Sequence, residues 1–227
     1  LFFLTALALA QTPADAHGHH AACGDGATVS HSFSNAEHWA TVFDDPARDA
    51  WQKPELLVPA LKLPRNGTVA DIGAGTGYFN ARLAAVVGKK GKVIAVDIEP
   101  NLVCHMARRA LKERTLEVEP RFGTASDPLL AAGEVDVVMT VDTYHHIDAR
   151  VDYFRRLGST IRPNGRLVVV DFKPGDLPVG PGPDHKISPE QVDRELAEAG
   201  WTRTQALDDL LPYQFVHVYT RGPATPR

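Results

Sequence analysis

Three glycines at alternate positions, Gly73, Gly75 and Gly77, follow the apolar run Val69-Ala70-Asp71-Ile72. Glycine has no Cβ, so the chain can turn sharply after a strand and let a ligand approach the main chain, while the next helix offers unpaired N–H groups. This is the composition of a cofactor-binding turn. A dinucleotide fingerprint, G-x-G-x-x-G, would need its third glycine where Tyr78 stands, so the spacing argues for a different ligand. About twenty residues beyond Gly77 a second buried-strand pattern, Lys92-Val93-Ile94-Ala95-Val96, ends in Asp97, which is the separation one βαβ crossover requires. A carboxylate there can accept two hydroxyl hydrogen bonds. The densest polar cluster at any strand end is Asp142-Thr143-Tyr144-His145-His146, where Tyr144 or His145 could take a proton from a substrate or orient it.

Further stretches follow in order: Gly123-Thr124-Ala125-Ser126-Asp127, Val135 to Asp142, and Arg162-Pro163-Asn164-Gly165 leading into Arg166 to Asp171. Together with Asp71 and the G-x-G-x-G turn they resemble the motifs of the class I S-adenosylmethionine (SAM) dependent methyltransferases over roughly residues 65 to 220. The resemblance implies that Asp71 helps hold the methionine end of SAM, that Gly73, Gly75 and Gly77 make room for it, and that Asp97 binds both ribose hydroxyls. It further implies that Ile98 packs on the adenine, that Asp127 meets the adenine amino group, and that Asp142 faces the donor methyl and the acceptor. The expected activity is methyl transfer from SAM to a small-molecule acceptor, with Asp142, Tyr144 and His145 as catalytic candidates. Two alternatives compete with it: an exported protein that keeps the fold without transferring methyl groups, and an NAD-linked oxidoreductase, against which the misplaced third glycine counts.

Methyl transfer is an in-line displacement in which alignment supplies much of the rate, so a base is needed only where the acceptor is an amine or a hydroxyl. His146 is expected to be structural, hydrogen-bonded beneath the site. The Gly- and Pro-rich stretch from Gly175 to Lys186, carrying Asp184 and His185, stands where an acceptor-binding loop is expected, and Tyr213 and Phe215 could complete a pocket or simply pack in the last strand. No metal is expected there, because adjacent histidines point in different directions on most backbones. The chain has two cysteines. Cys104 falls in an apolar helical stretch and reads as a small core residue, and arsenite, whose methylating enzymes use several cysteines, is a disfavoured substrate.

Positioning these groups takes a doubly wound sheet. Strands expected near 67–72, 92–97, 115–119, 135–141 and 166–172 alternate with helices near 77–88, 101–113 and 148–162, which predicts a parallel α/β sheet with helices on both faces. Ser188-Pro189-Glu190-Gln191 is a helix start, and strands near 201–207 and 214–220 would close the sheet as a hairpin, making seven strands in all. Residues 33–62 read as a helical cap broken at Asp44-Asp45-Pro46, with Phe43, Arg48, Trp51 and Gln52 able either to line the site or to anchor the cap. The methyltransferase domain is therefore drawn over 33–227, cap 33–62 and core 63–227.

The 227 residues, 44% hydrophobic, suit one such domain, and a formal net charge of −4 gives no reason to expect a nucleic-acid partner. Residues 1–16 are a signal-like apolar segment too short to span a bilayer, with Ala14-Asp15-Ala16 as a cleavage-like site, and 17–32 form a polar, His-rich linker. That start suggests export, whereas dependence on SAM suggests the cytoplasm. The linker histidines His17, His19 and His20 with Cys23 are read as a polar tail, not a metal site, since no second ligand cluster closes a tetrahedron.

Overall fold

The computed structural model describes residues 35–221. The signal-like segment, the His-rich linker and Cys23 lie outside the described residues.

Seven strands form one sheet in the order β3-β2-β1-β4-β5-β7-β6. They are β1 (Thr68–Ile72), β2 (Lys92–Asp97), β3 (Val118–Phe122), β4 (Val135–Val141), β5 (Ile161–Phe172), β6 (Trp201–Ala206) and β7 (Gln214–Arg221). β1 to β5 pair in parallel, while β7 runs antiparallel to both of its neighbours. The central strands are buried on both faces, as continuous apolar runs require. Val69 packs with Leu57, Leu83 and Met106 on one face, and Ala70 and Ile72 pack with Phe154, Leu157 and Leu196 on the other. The core helices are α4 (Asn80–Val87), α5 (Pro100–Glu113), α6 (Arg150–Leu157) and α7 (Pro189–Glu198). α7 starts as its sequence dictates, with Ser188 accepting from the Gln191 N–H and proline at the first position.

The cap consists of α1 (Ala36–Phe43), a 3₁₀ turn (Pro46–Arg48), α2 (Asp49–Gln52) and α3 (Pro54–Ala60). Asp45 accepts from the Ala47 N–H and so stops the chain from continuing α1.

Some elements fall elsewhere than expected. β3 is shifted to 118–122 and contains Pro120; as an edge strand it tolerates a residue with no N–H to donate. The helix expected from 77 begins at Asn80, because Gly77 is still in a left-handed turn at φ +83°. The helix expected to reach 162 ends at Leu157, and β5 begins at Ile161, where Asn164 in the left-handed region and a register shift opposite Val135/Val137 bend the pairing. Cys104 is buried as expected but is disulfide-bonded, not a free core thiol. No helix among the described residues is long and apolar enough to cross a membrane.

Candidate functional site

The strand order reverses between β1 and β4, which opens a crevice at their carboxyl ends. Asp71 and Met139 are register partners there, and Asp71 is matched with Ala95 on the other side. Into this crevice the sequence puts Asp71, the glycine turn, Asp97 and Asp142, so the topology brings together residues spread over seventy positions.

The three glycines have different physical reasons to be glycine. A Cβ on Gly73 would lie 2.3 Å from Thr143 Oγ1 and one on Gly77 2.4 Å from Asn80 Nδ2, so both are closed off by the protein itself. Among the described residues a Cβ on Gly75 would meet nothing nearer than Phe43 Cδ2 at 3.6 Å. The backbone at Gly75, φ +59°, therefore faces open space, as a cradle for a ligand must. Gly75 N–H donates to Asp97 Oδ2 at 2.8 Å and Glu99 N–H to Asp97 Oδ1 at 3.0 Å, fixing the carboxylate beside that space.

Burial pushes Asp71 up to about 7; Arg48 works against the rise and Asp97 adds to it. Asp97 is likewise pushed up by burial to about 6, although the Glu99 and Gly75 N–H groups pull it down. Asp142 is also raised by burial, with Arg48 opposing and Asp171 reinforcing. These are acids poised for a partner that brings positive charge or hydroxyls.

Ile98, at 44% exposure, presents an apolar side chain next to Asp97. Asp127 is half-buried in a tight loop, its Oδ1 accepting from the Leu129 N–H. The cap is clamped over the turn: Arg109 Nη1 donates to Asp44 Oδ2 at 2.9 Å and Thr76 Oγ1 to Asp44 Oδ1 at 3.1 Å. Of the four cap residues, Phe43 faces Gly75, Trp51 packs on Phe172, and Arg48 lies 4.1 Å above the Tyr78 ring and 3.8 Å from Asp142 Oδ2. Gln52 is fully buried and bonds to Gln214 at 2.7 Å, a residue sequence reasoning did not single out.

Beyond Asp142 the chain turns through Tyr144–His146. His145 Nδ1 lies 2.8 Å from Asp171 Oδ1 at the end of β5. Burial alone would lower the imidazole pKa, but the hydrogen bond and charge of Asp171 more than offset it, so His145 is raised above its ordinary value. Tyr144 does not stand where a proton acceptor should: it is fully buried, stacked on Phe154, and its hydroxyl donates to Glu195 at 2.9 Å. His146 is not beneath the site either. It is exposed, with its ring centroid 4.1 Å from that of His145. Both histidines open onto a cavity of about 180 Å³ that Arg150, Asp184, His185 and Lys186 also line. Arg150 forms a two-pronged ion pair with Glu195, and Lys186 Nζ donates to the Gly175 carbonyl. The Gly175–Lys186 loop thus reaches the cavity. Phe215 is in the core instead. Among the described residues no cluster of His, Cys, Asp and Glu could hold a metal ion.

Residues 69–165 match the family model described as "Methyltransferase domain". Among solved structures, a SAM dependent methyltransferase from Aquifex aeolicus superimposes with a TM-score of 0.77 at 25% identity, covering 80% of this chain and 96% of that one. An erythromycin 3''-O-methyltransferase of Saccharopolyspora erythraea is 24% identical over 173 residues, which is 73% of this chain and 54% of the relative. A tRNA U34 carboxymethyltransferase of Desulfotalea psychrophila is 29% identical over 139 residues, 59% of this chain and 41% of the relative. The chain spans about half the length of these curated relatives. Residues 69–165 are thus a methyltransferase domain, carried on the fold of the SAM-dependent methyltransferases, and the cofactor that goes with it is SAM.

Proposed function

We propose that this chain transfers a methyl group to a small polar acceptor bearing an O–H or N–H, with His145 as the general base. The observation that carries this reading is the His145–Asp171 dyad opening onto a cavity beside the crevice. With Nδ1 turned to Asp171, Nε2 is the ring nitrogen left for a substrate proton, and Asp171 stabilises the imidazolium that results. The cofactor would lie against Gly75, its methionine end at Asp71 and Asp142, its ribose at Asp97 and its adenine between Ile98 and Asp127. Bound there, it supplies an activated methyl carbon. A cavity of about 180 Å³ admits a small molecule, and the formal charge of −4 gives no attraction to a phosphate backbone.

The test is incubation with methyl-labelled SAM and two acceptor sets, a panel of phenols, sugar alcohols and amines, and bulk tRNA. Label is expected in the small-molecule fraction only. Label in the RNA would overturn the choice of acceptor class.

A pH effect follows from the raised acids. Asp71 rises from 3.8 unfolded to about 7 folded, so the folded state holds the proton more tightly, and ligand-free stability falls as pH rises across that window. SAM, carrying a sulfonium and an ammonium against one carboxylate, favours the ionised acids. The stabilisation it gives in thermal melts should therefore grow as pH rises through about 6 to 7, the window of Asp97 and Asp71, whereas S-adenosylhomocysteine, lacking the sulfonium, should show a flatter profile. Equal profiles for the two ligands would place the sulfonium away from these acids.

A further inference from the structure

Four side chains from three parts of the fold form one unbroken hydrogen-bonded chain. Arg48 donates through Nε (3.2 Å) and Nη2 (2.9 Å) to Gln52 Oε1. Gln52 Nε2 donates to Gln214 Oε1 at 2.7 Å, and Gln214 Nε2 donates to Asp142 Oδ1 at 2.6 Å. Arg48 Nη2, 3.8 Å from Asp142 Oδ2, closes the ring. Gln52 and Gln214 are both 0% exposed, so neither amide can exchange these partners for water.

The chain runs in one direction only. A guanidinium can only donate, so Gln52 must present its oxygen to Arg48 and its amide hydrogens to Gln214; the same logic passes to Asp142, whose Oδ1 must accept. Flipping either amide would set donor against donor and acceptor against acceptor in a buried site, at the full cost of unsatisfied polar groups. Asp142 is moreover held with φ at +54°, a conformation a non-glycine residue keeps only where its surroundings impose it. Two buried glutamines placed 162 residues apart in sequence make an expensive way to pack a cap, and an apolar pair would do so without the desolvation penalty.

We propose that Gln52 and Gln214 are positioning residues that make docking of the cap and the ionised state of Asp142 a single cooperative unit. While Asp142 is charged, Oδ1 is committed to Gln214 and Oδ2 attracts Arg48, which holds the 3₁₀ turn and α2 against the sheet. A proton on Asp142 removes that attraction and leaves the Arg48 guanidinium, 14% exposed, with only uncharged partners among the described residues, Gln52, the Phe43 carbonyl and the Tyr78 ring. The groups facing Asp142 are Arg48 from the cap, Gln214 from β7, Asp171 from β5 and His145 from the turn after β4. Burial, the largest influence, and Asp171 oppose its charge, whereas Arg48, Gln214 and His145 favour it, so the transition belongs to the group and not to one residue. What the cap itself brings to Asp142 is the Arg48 charge, which favours ionisation, and by that attraction the cap opens at low pH and closes as Asp142 ionises.

This inference rests on the site reading above only for placing Asp142 at the cofactor, and its test needs no cofactor. Hydrogen exchange of the ligand-free full chain, corrected for intrinsic rates, is followed in peptides covering 46–60, with peptides covering 189–198 as an internal control. Cap exchange in the parent protein is expected to slow about tenfold between roughly pH 5 and pH 8, while the control stays flat. Gln214→Met, similar in volume but unable to relay the chain, should hold cap exchange at the fast, acid level at every pH. Gln52→Met should do the same if the first variant folds poorly. A cap profile in both variants that follows the parent protein, or a rise in exchange that is uniform over cap and control, would overturn the proposal. A flattened profile with undiminished SAM affinity would uphold it and count instead against Asp142 as a cofactor ligand.

Discussion

Gly75→Val is expected to abolish SAM binding, with an affinity loss of at least about a hundredfold, in a protein that still folds. Two effects act at one position. The backbone there has φ +59°, where a β-branched residue is strained. The side chain would also project into the open space between the turn and Phe43, the only wall among the described residues within 4 Å of a Cβ built on this glycine. The contrast with its neighbours makes the claim specific. Gly73→Ala would drive a carbon onto Thr143, and Gly77→Ala one onto Asn80, so those variants should lose thermal stability before anything is learned about binding. Calorimetry with SAM and a melting curve on all three proteins separate the cases. Gly75→Val binding SAM within threefold of the parent protein would show that the ligand does not approach this backbone.

The difference between these glycines was not legible in the sequence, where the three look alike. Alternation of apolar strands with helical stretches does set the sheet, because burial on both faces demands apolar runs and each crossover demands a helix. Asp97, the last residue of β2, and Asp142, the first beyond β4, could be found because an apolar run stops there, and Asp71, one residue before the end of β1, because an acid interrupts such a run. Depth and partner are another matter. Tyr144 and His145 are adjacent and both polar, yet one ring is stacked on Phe154 and the other turned to Asp171, a choice made by residues on α6, α7 and β5. The same applies to His146, expected below the site and found at the cavity wall. Arg48 and Gln52 do carry a local trace of their bond in their i, i+4 spacing. Gln214 carries none. A glutamine at the start of a strand reads as an exposed end, and only the docking of the cap makes it a buried link.

The second large effect is expected at His145. Replacing it by glutamine should lower kcat by about 10² to 10⁴, the range of a general base, while SAM affinity stays unchanged, because the residue lines the cavity with Arg150 and Lys186 and not the glycine turn. The pH profile makes the role distinguishable from support of the fold. A base must be neutral to act, and Asp171 holds this imidazole above its ordinary value, so activity in the parent protein should climb with pH through a midpoint above 6.5. Asp171→Asn removes the carboxylate that raises His145 and leaves burial, which lowers it, so the midpoint should move to more acidic pH even as the maximal rate falls. Asp171 also accepts the Phe172 and His145 backbone N–H groups, bonds that the asparagine oxygen can retain in part, so the fold should survive the exchange. Steady-state kinetics across pH on the first acceptor found in the labelling screen, for the parent protein and both variants, give the answer. If His145→Gln turns over at the parent rate, the acceptor needs no base, and the dyad serves only to hold the end of β5 against the turn after β4.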